Sequence, residues 1–382
     1  MLRYLSKARI QGARVLLRVD LNVPIVGAAV EDDFDLIRVL PTIQALRRWG
    51  NVCILLSHHS APHQSLAPVA PRLAKLLGGA VTFLRNPFTR AAALAIHRAE
   101  PGAVLLVENL RFWEGERANV STFARSLARL GEVYVNDAFG ESHRPYASMV
   151  GIPRMLPSFA GPLIAAELKM LDGFLHKPKR PLVGVVGGAK LTTKIPLLRR
   201  FNRIAERILV GGAVADALLA AKGERVGRML AKGRIPGVGV LARSSRLMLP
   251  IDAVVGGRRG ERARTVSLDR LGARDAMYDI GRETQRMFCR TLGEARTVIW
   301  NGPLGLVEVK QYRRGTAVVA RVLAQGRARV LVGGGDTVAF LHRLGLLGKF
   351  KHVSTGGGAM LAYLAGEKLP GLEALKYGKH EA

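Results

Sequence analysis

Short, nearly continuous runs of Val, Ile and Leu recur along the chain. They fall at 14–21 (RVLLRVDL), 52–57 (VCILLS), 80–84 (AVTFL), 103–109 (AVLLVEN) and 132–137 (EVYVND). A second series follows at 182–188 (LVGVVGG), 207–212 (RILVGG), 297–302 (TVIWNG), 329–335 (RVLVGGG) and 352–357 (HVSTGG). Polar residues rarely alternate within these runs, which predicts parallel strands covered by helices on both faces. Helix-like stretches separate the runs, so strand–helix alternation occurs twice over. That predicts two α/β domains.

The break between the two series lies at about 150–180. VGIPRMLPSFAGPL carries three prolines, IAAELKMLDGFL reads as a helix, and HKPKRP resets the chain. The expected boundaries are therefore 1–155 for the first domain, 156–178 for a connecting helix, 179–358 for the second domain and 359–382 for a tail. No short repeat or low-complexity segment is visible, and the basic stretch GGRRGERART (256–265) reads as an exposed loop.

Length and composition agree with this division. A chain of 382 residues, 48% of them hydrophobic, is long enough for two cores and far from a disordered composition. Its two cysteines, Cys53 and Cys289, form neither a CxxC pair nor a metal-binding spacing, which points to a reducing, cytoplasmic setting. The N-terminus lacks the apolar stretch and cleavage site of a signal peptide. The longest uncharged run, between Arg48 and Arg72, holds three histidines and several prolines and is no membrane span. Lys+Arg number 58 against 29 Asp+Glu, a net charge of +29. Such a surface attracts anions, from phosphorylated metabolites to RNA. The basic residues are scattered, however, and no RNA-recognition signature or zinc finger is present, so no specific nucleic-acid partner is expected.

Ligands of open parallel sheets bind at the carboxyl ends of the strands. In the first half those ends carry Asp20 and Asn22, then His58, then Arg111 in ENLRF, then Asp137, His143 and Arg144 in NDAFGESHRPYAS. These groups suit a small anion. In the second half the ends read GGAKLTTK, GGAVA, NGPLG, GGGDT and STGGG: glycines, two lysines and one acid, suited to a nucleotide and its metal. Singly, each residue has an ordinary reading as a helix cap, turn residue or solvated side chain, and Asp336 in GGGDT could simply cap the next helix. Lys190 and Lys194 are more telling. Four residues apart, they share one face of a helix just starting, where cations oppose the helix dipole unless an anion sits between them. Ala189 stands where a Walker A loop needs its second glycine, and no G-x-G-x-x-G follows a strand, so neither a P-loop nor a dinucleotide fingerprint is present.

In order along the chain, RVDLNVP (18–24), ENLRF (108–112), VNDAFGESHR (135–144), LPSFAGPL (156–163), VGGAKLTTKI (186–195), VIWNGPLGLVE (298–308), VGGGDT (332–337) and VSTGGGAM (353–360) resemble the motifs of phosphoglycerate kinases. The resemblance implies two Rossmann-like domains joined by the connecting helix, with a cleft between them and a C-terminal tail returning to the first domain. The first domain would bind 3-phosphoglycerate or 1,3-bisphosphoglycerate, and the second ADP or ATP with Mg2+. Asp20, Asn22, His58, Arg111 and Arg144 would hold the substrate, with His143 close by. Lys194, Gly212, Pro303, Glu308, Gly334, Gly335, Asp336 and Thr337 would bind the nucleotide, Glu308 at the ribose and Asp336 at the metal. Lys190 and Gly356, Gly357 and Gly358 would face the transferring phosphoryl group. A monomeric enzyme of glycolysis is implied.

The chain also departs from the family pattern. In DDFDLIRVLPTI (32–43), Asp35 occupies the place of an arginine that serves the substrate, and Arg38 lies one turn further on. In SHHSAP (57–62), Ala61 replaces a second arginine. Thr193, Glu283, Val307 and Ala362 are smaller departures. Two readings follow: an active kinase with a weakened substrate site, or a diverged nucleotide-binding relative that serves another acidic substrate or is non-catalytic.

Overall fold

The computed structural model describes residues 1–8, 10–61, 63–228, 237–354 and 356–377. Thr355 of the 352–357 run and residues 378–382 of the tail lie outside the described residues. The chain divides into two compact units, one of Met1–Lys169 with Lys368–Ala382 and one of Met170–Glu367.

In the first unit, six parallel strands lie in the order Val81–Leu84, Val104–Val107, Val52–Leu56, Arg14–Arg18, Val133–Asn136, Ser158–Ala160. The central runs are buried, and Leu17, Leu55, Leu106 and Val135 pack with Leu36, Val39, Ile43 and Leu46 of the helix Phe34–Arg48, whereas the edge strand Val81–Leu84 buries only Leu84. Chain connections diverge on either side of Arg14–Arg18, so the loops after this strand and after Val133–Asn136 open a crevice at their carboxyl ends.

In the second unit, six parallel strands run Leu247–Met248, Arg207–Val210, Leu182–Val186, Thr297–Asn301, Arg329–Gly333, His352–Val353. Numbered within this sheet the order is 3-2-1-4-5-6, the doubly wound order, with its switch point between Leu182–Val186 and Thr297–Asn301. Val183, Val185, Val298, Trp300 and Val332 form the core with Phe288 and Leu292.

All ten expected runs contain a strand. Others were not anticipated. Ser158–Ala160 lies within the proline-rich stretch, has only three residues and pairs with Val133–Asn136 alone among the strands. An antiparallel sheet of Arg264–Ser267, Asp252–Val255 and Met277–Ile280 is added to the second unit. The stretch read as a loop over 256–265 is therefore a turn whose last two residues, Arg264 and Thr265, enter a strand. The expected connecting helix is Pro162–Leu175, and the division between units falls within it. The helix Pro370–Lys376 packs in the first unit against 147–151, with Gly371 N–H donating to Ser142 O at 2.9 Å.

Candidate active site

In the first unit, the carboxyl ends of the central strands gather charged side chains around one carboxylate. Arg18, the last residue of its strand, is fully buried. Its Nε donates to Ser148 Oγ at 3.1 Å, and Nη2 lies 3.1 Å from His58 Nδ1. Ser148 is held by the buried Glu116, which accepts its N–H at 2.9 Å and its hydroxyl at 2.5 Å. Arginine can only donate, so His58 Nδ1 accepts and the neutral ring carries its proton on Nε2. That nitrogen points at Glu141, 3.4 Å away. Burial pushes the His58 pKa down, against the pull of Glu141, and Arg18 adds to the depression.

Glu141 also meets Arg111 Nη2 at 3.1 Å and Arg144 Nε at 3.2 Å. Burial alone would raise its pKa. His58, Arg18 and Arg144 more than offset this and hold the carboxyl well below the usual carboxylate range. The Arg144 Nε contact is a charge contact without hydrogen-bond alignment, and Arg111 Nε, on a side chain only 6% exposed, has no hydrogen-bond partner in the protein. Tyr146 lies beneath both guanidinium groups, at 5.9 Å from Arg111 and 5.6 Å from Arg144, and Arg144 Nη1 donates to its hydroxyl at 2.9 Å. Buried donors without partners are costly unless an anion meets them, which makes this cluster an anion site.

The other sequence candidates of this unit border the cluster. Asp20 acts electrostatically on both His58 and Arg144. Asn22 donates its N–H to Asp20 Oδ1 at 3.2 Å and accepts Ser60 N–H at 2.7 Å, tying two strand ends together. His143 Nδ1 lies 2.9 Å from Gly140 O, and burial together with Arg144 depresses its pKa. Asp137 is a correction: its carboxylate takes Thr42 Oγ1 at 2.6 Å and Leu163 N–H at 2.7 Å, so it caps the helix Pro162–Leu175 and is not a ligand group. Asp35 stands in the first turn of Phe34–Arg48; burial and then Asp20 push its carboxyl up to about 6, against Arg38.

In the second unit, the switch point is lined by backbone. Gly187 N–H donates to Asn301 O at 3.0 Å and Gly188 N–H to Pro303 O at 2.8 Å. A Cβ on Gly187 would overlap the Pro303 carbonyl, and one on Gly302 would overlap that of Gly187. Only glycine lets these two loops close on each other. Two adjoining depressions open there. One, of about 350 Å³, is lined by Lys190, Thr193, Lys194, Asn301, Gly334, Gly335, Asp336, Thr337, Gly357 and Gly358. The other, of about 700 Å³, is lined by Gly212, Pro303, Glu308, Met277, Tyr278, Leu306, Arg228 and Arg258. Gly188, Ala189, Pro303 and Asp336 border both. Helices beginning at Leu191, Gly212, Gly335 and Gly357 start at this paired depression, directing free N–H groups and positive dipole ends toward it.

Lys194 is buried, bonded to Asn301 Oδ1, and its pKa is lowered by burial to about 8, against the pull of Asp336. Lys190 instead caps the helix from an exposed position, so the two lysines border one depression from different depths. Thr337 Oγ1 accepts Gly302 N–H at 3.0 Å, keeping its hydroxyl hydrogen for a ligand. Gly334 and Gly357 have φ of +96° and +46°, which favour glycine, and Gly356 is buried at the cap of Gly357–Ala365. Asn301 Nδ2 is buried without a protein partner. Sequence reasoning did not single out Asn301, Glu141, Arg18, Arg228, Arg258 or Tyr278. Asn301, Glu141, Arg18 and Arg258 lie inside stretches already noticed, NGPLG, NDAFGESHR, RVDLNVP and GGRRGERART, whereas nothing local marks Arg228 or Tyr278.

One unit thus presents an arginine-lined anion site and the other a glycine- and lysine-lined depression of nucleotide proportions, which defines a nucleotide-dependent phosphotransferase acting on a small acidic metabolite. The comparisons with known proteins narrow the class. A family profile described as phosphoglycerate kinase matches residues 5–367. The chain is 41% identical over 384 residues to the phosphoglycerate kinase of Rubrobacter xylanophilus, covering 98% of each chain. It is 40% identical over 391 residues to that of Azorhizobium caulinodans, covering 98% of this chain and 99% of the other. Among solved structures, the phosphoglycerate kinase of Coxiella burnetii matches with a TM-score of 0.86 at 32% identity, over 98% of this chain and 99% of the other. That of Pyrococcus horikoshii OT3 matches at 0.83 and 29%, over 99% of each. The chain belongs to the phosphoglycerate kinase family.

Proposed function

We propose that the chain transfers a phosphoryl group reversibly between 1,3-bisphosphoglycerate and ADP, giving 3-phosphoglycerate and ATP in glycolysis. The observation that carries this reading is the buried Lys194, held by Asn301 beneath a ring of helix N-termini and glycines. Polyphosphate is the ligand chemistry that offsets so much converging positive potential. The first unit's cluster of Arg111, Arg144 and His58 suits the acidic triose substrate, with Asp20 and Asn22 beside it and His143 adjoining. Lys190 and Gly356–Gly358 would face the group in transfer.

In the direction of ATP use, the nucleophile is a carboxylate, already ionised near neutral pH. No general base is needed, and the protein's contribution is positioning and charge stabilisation. Among the described residues, no cluster of three or more His, Cys, Asp or Glu could hold a metal by itself. Asp336, exposed at the start of its helix and bordering both depressions, fits Mg2+, which is commonly held by one or two carboxylates plus substrate phosphates. Bound there, the ion would supply charge neutralisation on the phosphates. Glu308, exposed beside the larger depression, suits the ribose hydroxyls.

Asp35 puts a carboxylate within electrostatic reach of Asp20, where anion binding wants positive charge, and would weaken the substrate site. No helix among the described residues is long and apolar enough to cross a membrane. In this reading the protein works as a cytoplasmic monomer without a membrane or specific nucleic-acid partner. A coupled assay in both directions tests the activity. Turnover with 3-phosphoglycerate and ATP, and in reverse, is expected; ADP binding without turnover in either direction would sink it.

A further inference from the structure

The anion site of the first unit already contains an anion. Glu141, on a side chain 10% exposed, is shared among His58, Arg111 and Arg144 at 3.4, 3.1 and 3.2 Å. These are the same groups, two guanidinium cations and a neutral imidazole, that the reading above gives to the substrate, and this inference rests on that reading. One carboxylate cannot saturate two guanidinium groups, each with five donors. Arg111 Nε is left buried without a protein partner, Arg111 Nη1 reaches His59 O only at 3.4 Å, and Arg144 Nε is close to Glu141 but misaligned. The site is therefore neutralised in part while its donors are only partly used.

We infer that Glu141 is a resident counter-ion, which the incoming phosphate must displace from Arg111 and Arg144, and which thereby sets substrate affinity and screens out singly charged anions. A monoanion such as chloride or acetate offers no more charge than the carboxylate it would replace, and the tethered carboxylate has no translational freedom left to lose. A phosphate dianion brings twice the charge and three acceptor oxygens, enough for bidentate engagement of both guanidinium groups. Arg18 and Tyr146 keep the cationic frame in place during the exchange, because the one anchors His58 and the other lies beneath both guanidinium groups.

Steady-state kinetics of the full chain and of Glu141→Gln, which keeps the shape and removes the charge, provide the test. The variant is expected to lower KM for 3-phosphoglycerate about tenfold, the equivalent of one displaced charge contact, and to make chloride a competitive inhibitor. In the wild type at matched ionic strength, sulfate should compete with 3-phosphoglycerate and chloride should not. A folded Glu141→Gln with unchanged or higher KM would show that the carboxylate only organises the arginines, and would overturn the inference. If the variant fails to fold, the wild-type anion series decides: equal inhibition by chloride and sulfate refutes screening. Calorimetry with inorganic phosphate separates this inference from the substrate reading. Phosphate binding that tightens in the variant while 3-phosphoglycerate binds neither protein keeps Glu141 as a counter-ion and removes the proposed substrate.

Discussion

Lys194 ties nucleotide affinity to pH. Its ammonium is buried beneath the glycine crevice, and burial brings its pKa from 10.5 to about 8. Nucleotide phosphates arriving over it would stabilise the charged form, so binding near this pH must take up a proton. With a pKa of about 8 the lysine is roughly nine-tenths charged at pH 7 and one-tenth charged at pH 9. If bound ADP keeps it charged throughout, the dissociation constant rises about tenfold between those two values. A return from about 8 to the ordinary 10.5 would correspond to about 3.4 kcal/mol of coupling. Titration calorimetry at pH 8 in HEPES and in Tris should therefore report uptake of about half a proton per ADP. In ligand-free protein the sign reverses. From about 8 to 10.5 the unfolded chain binds the proton that the folded chain has lost, so this residue makes stability rise with pH while ADP affinity falls. Lys194→Met should remove both slopes and weaken ADP at pH 7. A flat dissociation constant from pH 7 to 9, with no proton uptake, would refute the placement of Lys194 under the phosphates.

Other substitutions test the rest of the frame. Asp35, with its carboxyl raised from 3.8 to about 6, holds a proton between those values that the unfolded chain has released, so stability falls as pH rises through that window. Asp35→Asn should gain about 1–2 kcal/mol at pH 7.5 after allowance for solvent, and nothing at pH 3.5, read as Tm at the two values. Asp35→Arg should lower KM for 3-phosphoglycerate, and an unchanged KM would show that the helix start does not face the substrate. Asp279 accepts Gly315 N–H at 2.7 Å and Ile280 N–H at 2.9 Å, and burial lifts its carboxyl to about 7. Asp279→Ala leaves both donors buried and unmet, so it should cost about 2–4 kcal/mol and weaken ADP binding through the loop that carries Glu308. Gly371 lies so close to Ser142 that an added Cβ would meet its Cα at 3.1 Å. Gly371→Val should therefore raise KM for 3-phosphoglycerate by disturbing the neighbouring Glu141–Arg144 segment, while ADP affinity, measured by calorimetry, stays constant.

Most strands that could be read in advance contain their own reason for forming: long Val/Ile/Leu runs that must be covered on both faces. Ser158–Ala160 and Leu247–Met248 have two or three residues each and owe their pairing to a neighbour elsewhere in the chain, so no local period announces them. Arg264–Ser267 is exposed, basic and paired on one side only, which made it resemble a loop. The same distinction runs through the sites. Strand-end positions place His58, Arg111 and Arg144 in one crevice because a doubly wound sheet brings its carboxyl ends together whatever the intervening chain does. Sequence position does not say which acid neutralises them. Glu141 is only three residues from Arg144 yet 30 from Arg111 and 83 from His58, and its meeting with all three depends on loops from different strands. Arg18 was harder still, since a charged residue inside an apolar run says nothing locally of its partners, whereas here it is fully buried and bonded to groups 40 and 130 residues away. Cations at strand ends can be read from order along the chain; the counter-charges that tune them are created by tertiary packing, and they decide how tightly such a site holds an anion.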